Sequence, residues 1–233
     1  EDALLIVNGA GHNPLVVTES ADIDKAVKGA LLVKGFNGGQ DCAGPDAILV
    51  HESVAQEFIG KFEREYSRLK QGTFKQKDTI IGPIQRWSEI QRLSELLFVN
   101  RSDIFSGGKI DLTTGLLSPT VIVRNIDRSP NYQEIFGPIA FIHPYRKDED
   151  LSYYFESGQY FSNRMYLSVY GHSPYLAQRD DVYNPGAAGN VGIILYDETI
   201  HDVEIGVKPY GGYSLGASGV IKKTGEKSQR IAM

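Results

Sequence analysis

Short apolar runs alternate along this chain with stretches whose apolar residues recur at helical spacing. Ala3–Val7 and Leu15–Thr18 are strand-like runs on either side of a Gly-rich turn. Ile23, Ala26, Val27, Ala30 and Leu31 then fall three and four apart behind Ser20, a residue type that caps helix N-termini, and predict a first helix. Ala47–Val50 reads as a buried strand. Ser53 with Gln56 three residues later forms a capping box, and the helix it opens has Val54, Phe58, Phe62 and Leu69 as its inner stripe. A third helix is predicted from about Pro83 to Phe98, because proline is tolerated in a first turn, with Ile84, Trp87, Ile90, Ser94 and Leu97 on one face. Thr120–Val123, Ile139–Ile142, Met165–Tyr170 and Val191–Tyr196 read as further strands. Asp148–Glu156 and Pro174–Arg179 read as short helices.

Alternation of this kind predicts an α/β fold: a three-layer α/β/α arrangement around a mostly parallel open sheet. No internal repeat, low-complexity tract or long linker divides the chain, so residues 1–233 are read as one domain. The aromatic cluster Tyr153, Tyr154, Phe155, Tyr160 and Phe161 reads as packing rather than a binding cage.

The net charge is −5 with no Lys/Arg cluster, which argues against a nucleic-acid partner. No apolar run approaches the ~20 residues needed to span a membrane. A single cysteine fits a reducing compartment, and a cytoplasmic protein is expected. The acidic start Glu1-Asp2-Ala3 lacks a signal-peptide pattern and leads almost directly into a strand-like run, so a further segment upstream is expected.

That one cysteine, Cys42, carries the most specific chemistry. It lies in Phe36-Asn37-Gly38-Gly39-Gln40-Asp41-Cys42-Ala43-Gly44-Pro45, where glycines allow a tight bend and an unobstructed side chain. A lone thiol makes no disulfide, and nothing near it in the chain suggests a metal site. Taken alone, such a cysteine is more often a small buried hydrophobe. A catalytic thiol must be exposed and its anion stabilised, because an unperturbed thiol, with a pKa near ~8.5, is mostly protonated at neutral pH.

Three stretches together resemble the aldehyde dehydrogenase superfamily, specifically its catalytic domain: Gly39-Gln40-x-Cys42, Glu134-Ile135-Phe136-Gly137-Pro138 and Pro209-Tyr210-Gly211-Gly212. Lesser matches are Ile81-Gly82-Pro83, Gly107-Gly108, Ser118-Pro119-Thr120-Val121, and Asn13-Pro14-Leu15-Val16-Val17 followed by Ala21–Val27. The resemblance implies that Cys42 attacks an aldehyde to give a thiohemiacetal, that hydride leaves to the nicotinamide ring of NAD or NADP, and that a thioester remains. It implies that Glu134 binds the hydroxyls of the nicotinamide-side ribose and that Phe136 packs near the nicotinamide. The Pro-Tyr-Gly-Gly stretch would shape the substrate funnel and a domain contact.

The chain also departs from that family. The glutamate that activates water for deacylation falls on Asn8, and an amide cannot act as a general base. His12 stands where a lysine is usual; as a titratable neighbour it could in principle take the base's place, but a loop histidine with no role is the expected reading. Tyr213–Ala217 lacks the usual Lys and Ser-Gly, and Gly158–Tyr166 lacks the usual Asn-x-x-Tyr-Gly-Leu. Relatives that pass the acyl group to coenzyme A also lack the glutamate, and a thiol acceptor ionises more readily than water. Three readings follow: oxidation of an aldehyde to an acid, acylating oxidation to an acyl-CoA, and a non-catalytic domain kept for assembly or ligand binding. No strand leading into a Gly-rich phosphate turn is seen. The resemblance therefore implies an isolated or truncated catalytic domain, weak in NAD(P) binding and turnover. Its oxyanion hole would lack an asparagine from the missing domain, a loss of ~10²–10³ in rate. The full-length parent would be a homo-oligomer.

Overall fold

The computed structural model describes residues 3–73, 75–128, 132–179, 193–203, 218–224 and 227–231. The Pro209–Gly212 stretch, the Tyr213–Ala217 departure and the first two residues of the strand expected at Val191–Tyr196 lie outside the described residues.

The elements run β1 (Ala3–Asn8), β2 (Pro14–Val17), α1 (Ile23–Gly35), β3 (Ala47–His51), α2 (Glu52–Tyr66), α3 (Trp87–Val99), β4 (Ile104–Ser106), β5 (Ile110–Asp111), β6 (Leu116–Leu117), β7 (Thr120–Val123), β8 (Ile139–Tyr145), α4 (Ser152–Phe155), α5 (Gly158–Asn163), β9 (Tyr166–Tyr170), α6 (Pro174–Ala177), β10 (Ile193–Tyr196), α7 (Ile200–Val203), β11 (Ser218–Thr224) and β12 (Lys227–Ile231). The main sheet has seven strands in the order β10-β9-β2-β3-β8-β7-β4. All neighbours are parallel except β4, which closes one edge antiparallel to β7. The expected mostly parallel open sheet is therefore present, with helices on both faces.

Each face has its own core. On one side α1 and α2 pack on Leu15, Val17, Ile48, Val50 and Ile142 through Ala26, Ala30, Phe58 and Phe62. The rings of Phe58, Phe62 and Tyr66 stack in sequence along α2. On the other side Val16, Leu49, Leu167 and Val169 meet Tyr154, Phe155, Tyr160 and Leu176. Alternate residues of β2 and β3 thus serve opposite cores, which is why these strands read as unbroken apolar runs. Three of the five clustered aromatics, Tyr154, Phe155 and Tyr160, are fully buried, as packing requires; Tyr153 and Phe161 are exposed.

Helix starts differ from the sequence reading. Asp22, not Ser20, caps α1 by accepting from the Lys25 N–H at 3.1 Å. Ser20 instead bonds Thr18 and the His172 N–H. The capping box at Ser53 and Gln56 does not form: α2 begins one residue earlier, and the His51 ring accepts from the Ser53 N–H. Its buried stripe is Ala55, Phe58, Ile59, Phe62 and Tyr66, with Val54 and Leu69 only partly covered. The third helix begins at Trp87 rather than Pro83, because the Ile84 N–H is taken by the Gly115 carbonyl and Arg86 is extended. Trp87 is 56 % exposed, and the buried face is Ile90, Leu93, Leu96 and Leu97. Sequence reasoning missed the short strands β4 to β6, helix α5, and the separate antiparallel sheet in which β1 pairs with β11 and β11 with β12. Among the described residues no helix is long and apolar enough to cross a membrane.

Candidate active site

Four parallel strands, β9, β2, β3 and β8, lie side by side in register, with Pro14 opposite Ala47 and Leu15 opposite Ser168. The segments entering their amino ends therefore converge. These are Gly11–Asn13 before β2, Cys42–Asp46 before β3, Glu134–Pro138 before β8 and Arg164–Met165 before β9. Ligands of open α/β sheets usually sit at the carboxyl ends of the strands. Here the chemistry-bearing residues gather at the opposite edge.

The Cys42 loop is built from its own sequence. After α1 the backbone turns through Asn37, Gly38 and Gly39 at φ of 46°, 63° and 74°, the left-handed region that glycine tolerates best. A Cβ on Gly39 would lie 2.3 Å from the Gly137 carbonyl oxygen, so this glycine also lets the Glu134 loop approach. Asp41 and Gly44 then close a tight turn: the Gly44 N–H donates to the Asp41 carbonyl, and the Ala43 N–H to the Asp41 carboxylate. Cys42 occupies the corner of that turn, half-buried.

Asn13 fastens the turn from behind. Its side-chain amide donates to the Cys42 carbonyl at 2.7 Å and to the Gly44 carbonyl at 3.1 Å, while its Oδ1 accepts the Tyr166 N–H. Gly11 sits between the expected nucleophile and the expected cofactor carboxylate. Its N–H donates to Glu134 Oε1 at 3.1 Å, and a Cβ there would lie 2.1 Å from the Cys42 carbonyl. Glu134 is half-buried, and burial raises its carboxyl above the ordinary range, opposed by the Gly11 N–H and the Arg92 guanidinium. Arg92 in turn donates to the Glu134 carbonyl and pairs with Glu89. Phe136, two residues on, is half-buried in the same loop.

The sequence-expected residues fall as follows. Cys42, Glu134 and Phe136 lie on adjoining loops joined through Gly11 and Gly39. Asn8 ends β1, opposite Ser218 and three residues before Gly11. His12 is a core residue: its ring is 2 % exposed, faces the Tyr154 hydroxyl, and burial lowers its pKa to about 4. Sequence reasoning missed Asn13, Asp46, Lys34 and His201. His201, on α7, bonds Asp41 at 3.1 Å and packs on the Phe36 ring, beside the turn that carries Cys42. Lys34 and Asp46 carry no local signal: Asp46 precedes β3, and Lys34 is one of several charged residues on α1. Among the described residues no group of three or more His, Cys, Asp or Glu could hold a metal ion.

The sequence matches the aldehyde dehydrogenase family over residues 4–228. The chain belongs to the aldehyde dehydrogenase family. Similar proteins include an aldehyde dehydrogenase of Davidiella tassiana, 28% identical over 93% of this chain and 42% of that protein. A mitochondrial succinate-semialdehyde dehydrogenase of Oryza sativa subsp. japonica is 34% identical over 60% of this chain and 28% of its own length. The chain thus spans less than half the length of these curated relatives. A succinate-semialdehyde dehydrogenase structure from Burkholderia pseudomallei superposes with a TM-score of 0.72 at 22% identity, covering 96% of this chain and 47% of that one. The structure of a glyceraldehyde-3-phosphate dehydrogenase from Methanocaldococcus jannaschii, complexed with NADP, gives 0.70 at 19% identity over 96% and 49%. These structural likenesses carry the fold.

Proposed function

We propose that residues 1–233 form the nucleophile-bearing part of an enzyme that oxidises an aldehyde with NAD or NADP. The observation that carries this is the Gly11 backbone, bonded to Glu134 on one side and packed against the Cys42 carbonyl on the other. Cys42 thiolate attacks the aldehyde carbon: a C–S bond forms and the carbonyl π pair moves to oxygen. The turn at Asp41–Gly44 puts the thiol at a corner, and Asn13 fixes the backbone it hangs from, which is the positioning that covalent catalysis needs.

The residues fit the ribose end of a nicotinamide dinucleotide. Glu134 is a half-buried carboxylate anchored by one oxygen, suited to charge-assisted bonds from hydroxyl donors, and Phe136 offers a half-buried ring beside it. When bound, the dinucleotide supplies the hydride acceptor. With the dinucleotide held there as hydride acceptor, Cys42 would carry the oxidised acyl group as a thioester.

The second reading concerns the acceptor that releases the acyl group. Asn8 cannot remove a proton from water, and the His12 ring is turned into the Tyr154 cluster. Both favour a thiol acceptor such as coenzyme A, whose thiolate would attack the thioester carbon and take the acyl group while Cys42 leaves as thiolate. The test is aldehyde oxidation by the whole protein, followed by reduced-nicotinamide absorbance with and without coenzyme A, beside Cys42→Ser. Turnover abolished by the substitution supports the nucleophile. Stimulation by coenzyme A supports the acylating branch, and equal turnover without it overturns that branch. A fully active Cys42→Ser protein overturns the whole reading.

A further inference from the structure

We propose that Asp46 is a positioning residue that ties the Gly11–Asn13 turn and the Glu134 loop to the loop carrying Cys42. This rests on the reading of Cys42 as nucleophile and Glu134 as the cofactor-side carboxylate. Asp46 is the last residue before β3, four after Cys42, and is 6 % exposed. Its two carboxylate oxygens reach two different segments. Oδ2 accepts the Asn13 N–H at 3.3 Å, and Oδ1 accepts the Ile135 N–H at 2.7 Å. Asn13 is the residue whose side chain holds the Cys42 and Gly44 carbonyls, and Ile135 directly follows Glu134. One side chain therefore fixes the nucleophile's loop against both neighbours.

A buried carboxylate is costly unless it is paired and hydrogen-bonded. Lys34, 1 % exposed on the last turn of α1, supplies the compensating group, and Arg92 adds a second cation nearby. Burial raises Asp46 well above the ordinary carboxylate range and lowers Lys34 to about 8, while their mutual attraction opposes both movements. An apolar residue would fill the same space at lower cost but would leave the Asn13 and Ile135 N–H groups without this acceptor.

Asp46→Asn keeps the shape but turns one accepting oxygen into a donor, so one of the two bridges is lost. The double variant Asp46→Asn with Lys34→Met also removes the buried cation and guards against loss of fold through an unpaired charge. Three readouts are compared with wild type: amide hydrogen exchange at residues 11–13 and 134–136, cooperative melting, and the rate and pH inflection of Cys42 alkylation by iodoacetamide. The expected result is cooperative melting, exchange at least ~10-fold faster in one or both segments, and a displaced alkylation inflection. Unchanged exchange in both segments overturns the tie. Faster exchange with an unchanged inflection overturns the positioning role and leaves Asp46 as scaffold. Loss of fold in both variants also overturns it, since Asp46 would then hold the domain rather than the site. A wild-type thiol no more reactive than free cysteine contradicts the nucleophile reading instead, and the exchange result still judges the tie.

Discussion

The side-chain amide of Asn13 holds the backbone carbonyl of Cys42 at 2.7 Å, so the residue entering β2 sets the pose of the loop entering β3. The same side chain engages Gly44 and Tyr166, which uses its donor and acceptor sides together. Asn13→Ala removes three hydrogen bonds from a buried place and is expected to destabilise the fold by roughly 2–3 kcal/mol, since unsatisfied buried groups cost about 1–3 kcal/mol. Asn13→Asp is expected to be worse, because an oxygen then faces two carbonyl oxygens. Denaturant melts check both. An Asp variant as stable as wild type would contradict the geometry.

Glu134→Gln separates anchoring from charge. The amide oxygen can still accept the Gly11 N–H, so the fold and Cys42 alkylation should change little. Bonds from ribose hydroxyls fall from about 1.5–3 kcal/mol each, for a charged acceptor, to about 0.5–1.5 kcal/mol for a neutral one. In the whole protein the KM for NAD or NADP should rise about 10-fold or more. An unchanged KM would remove Glu134 from the cofactor site.

Acid should weaken the fold through two buried histidines. Burial lowers both His12 and His143 from the ordinary 6.5 to about 4. Below pH 6.5 the unfolded chain takes up protons that the folded chain refuses. Stability is therefore full above that pH and falls as pH drops towards 4, by at most about 1.4 kcal/mol per pH unit for each histidine. His143→Gln should flatten that slope by about one histidine's share in melts across the range. An unaltered slope would show that His143 titrates normally in the fold.

Much of this molecule was legible in its sequence for simple reasons. Strands buried on both faces leave unbroken apolar runs, so β2, β3 and β7 were found almost to the residue. Cys42, Glu134 and Phe136 were singled out because short motifs mark them, and the fold brings their loops side by side. Helix starts were harder: Ser20, Asp22, His51 and Ser53 are all capable caps, and tertiary bonds decide among them. Asn13 and Asp46 escaped because their roles come from register. Only when β2, β3 and β8 align does a carboxylate before β3 meet the N–H groups of residues 13 and 135. The three-stranded sheet of β1, β11 and β12 joins segments more than two hundred residues apart, and no local pattern announces such a pairing.

The most direct test of the central claim, that Cys42 is an activated nucleophile, is its alkylation rate by iodoacetamide across pH, with Cys42→Ser as control. The account predicts rapid reaction at pH 7 and an inflection well below ~8.5, the value of an unperturbed thiol. Reaction that appears only on unfolding would contradict it and leave Cys42 as an inert corner of the Asp41–Gly44 turn.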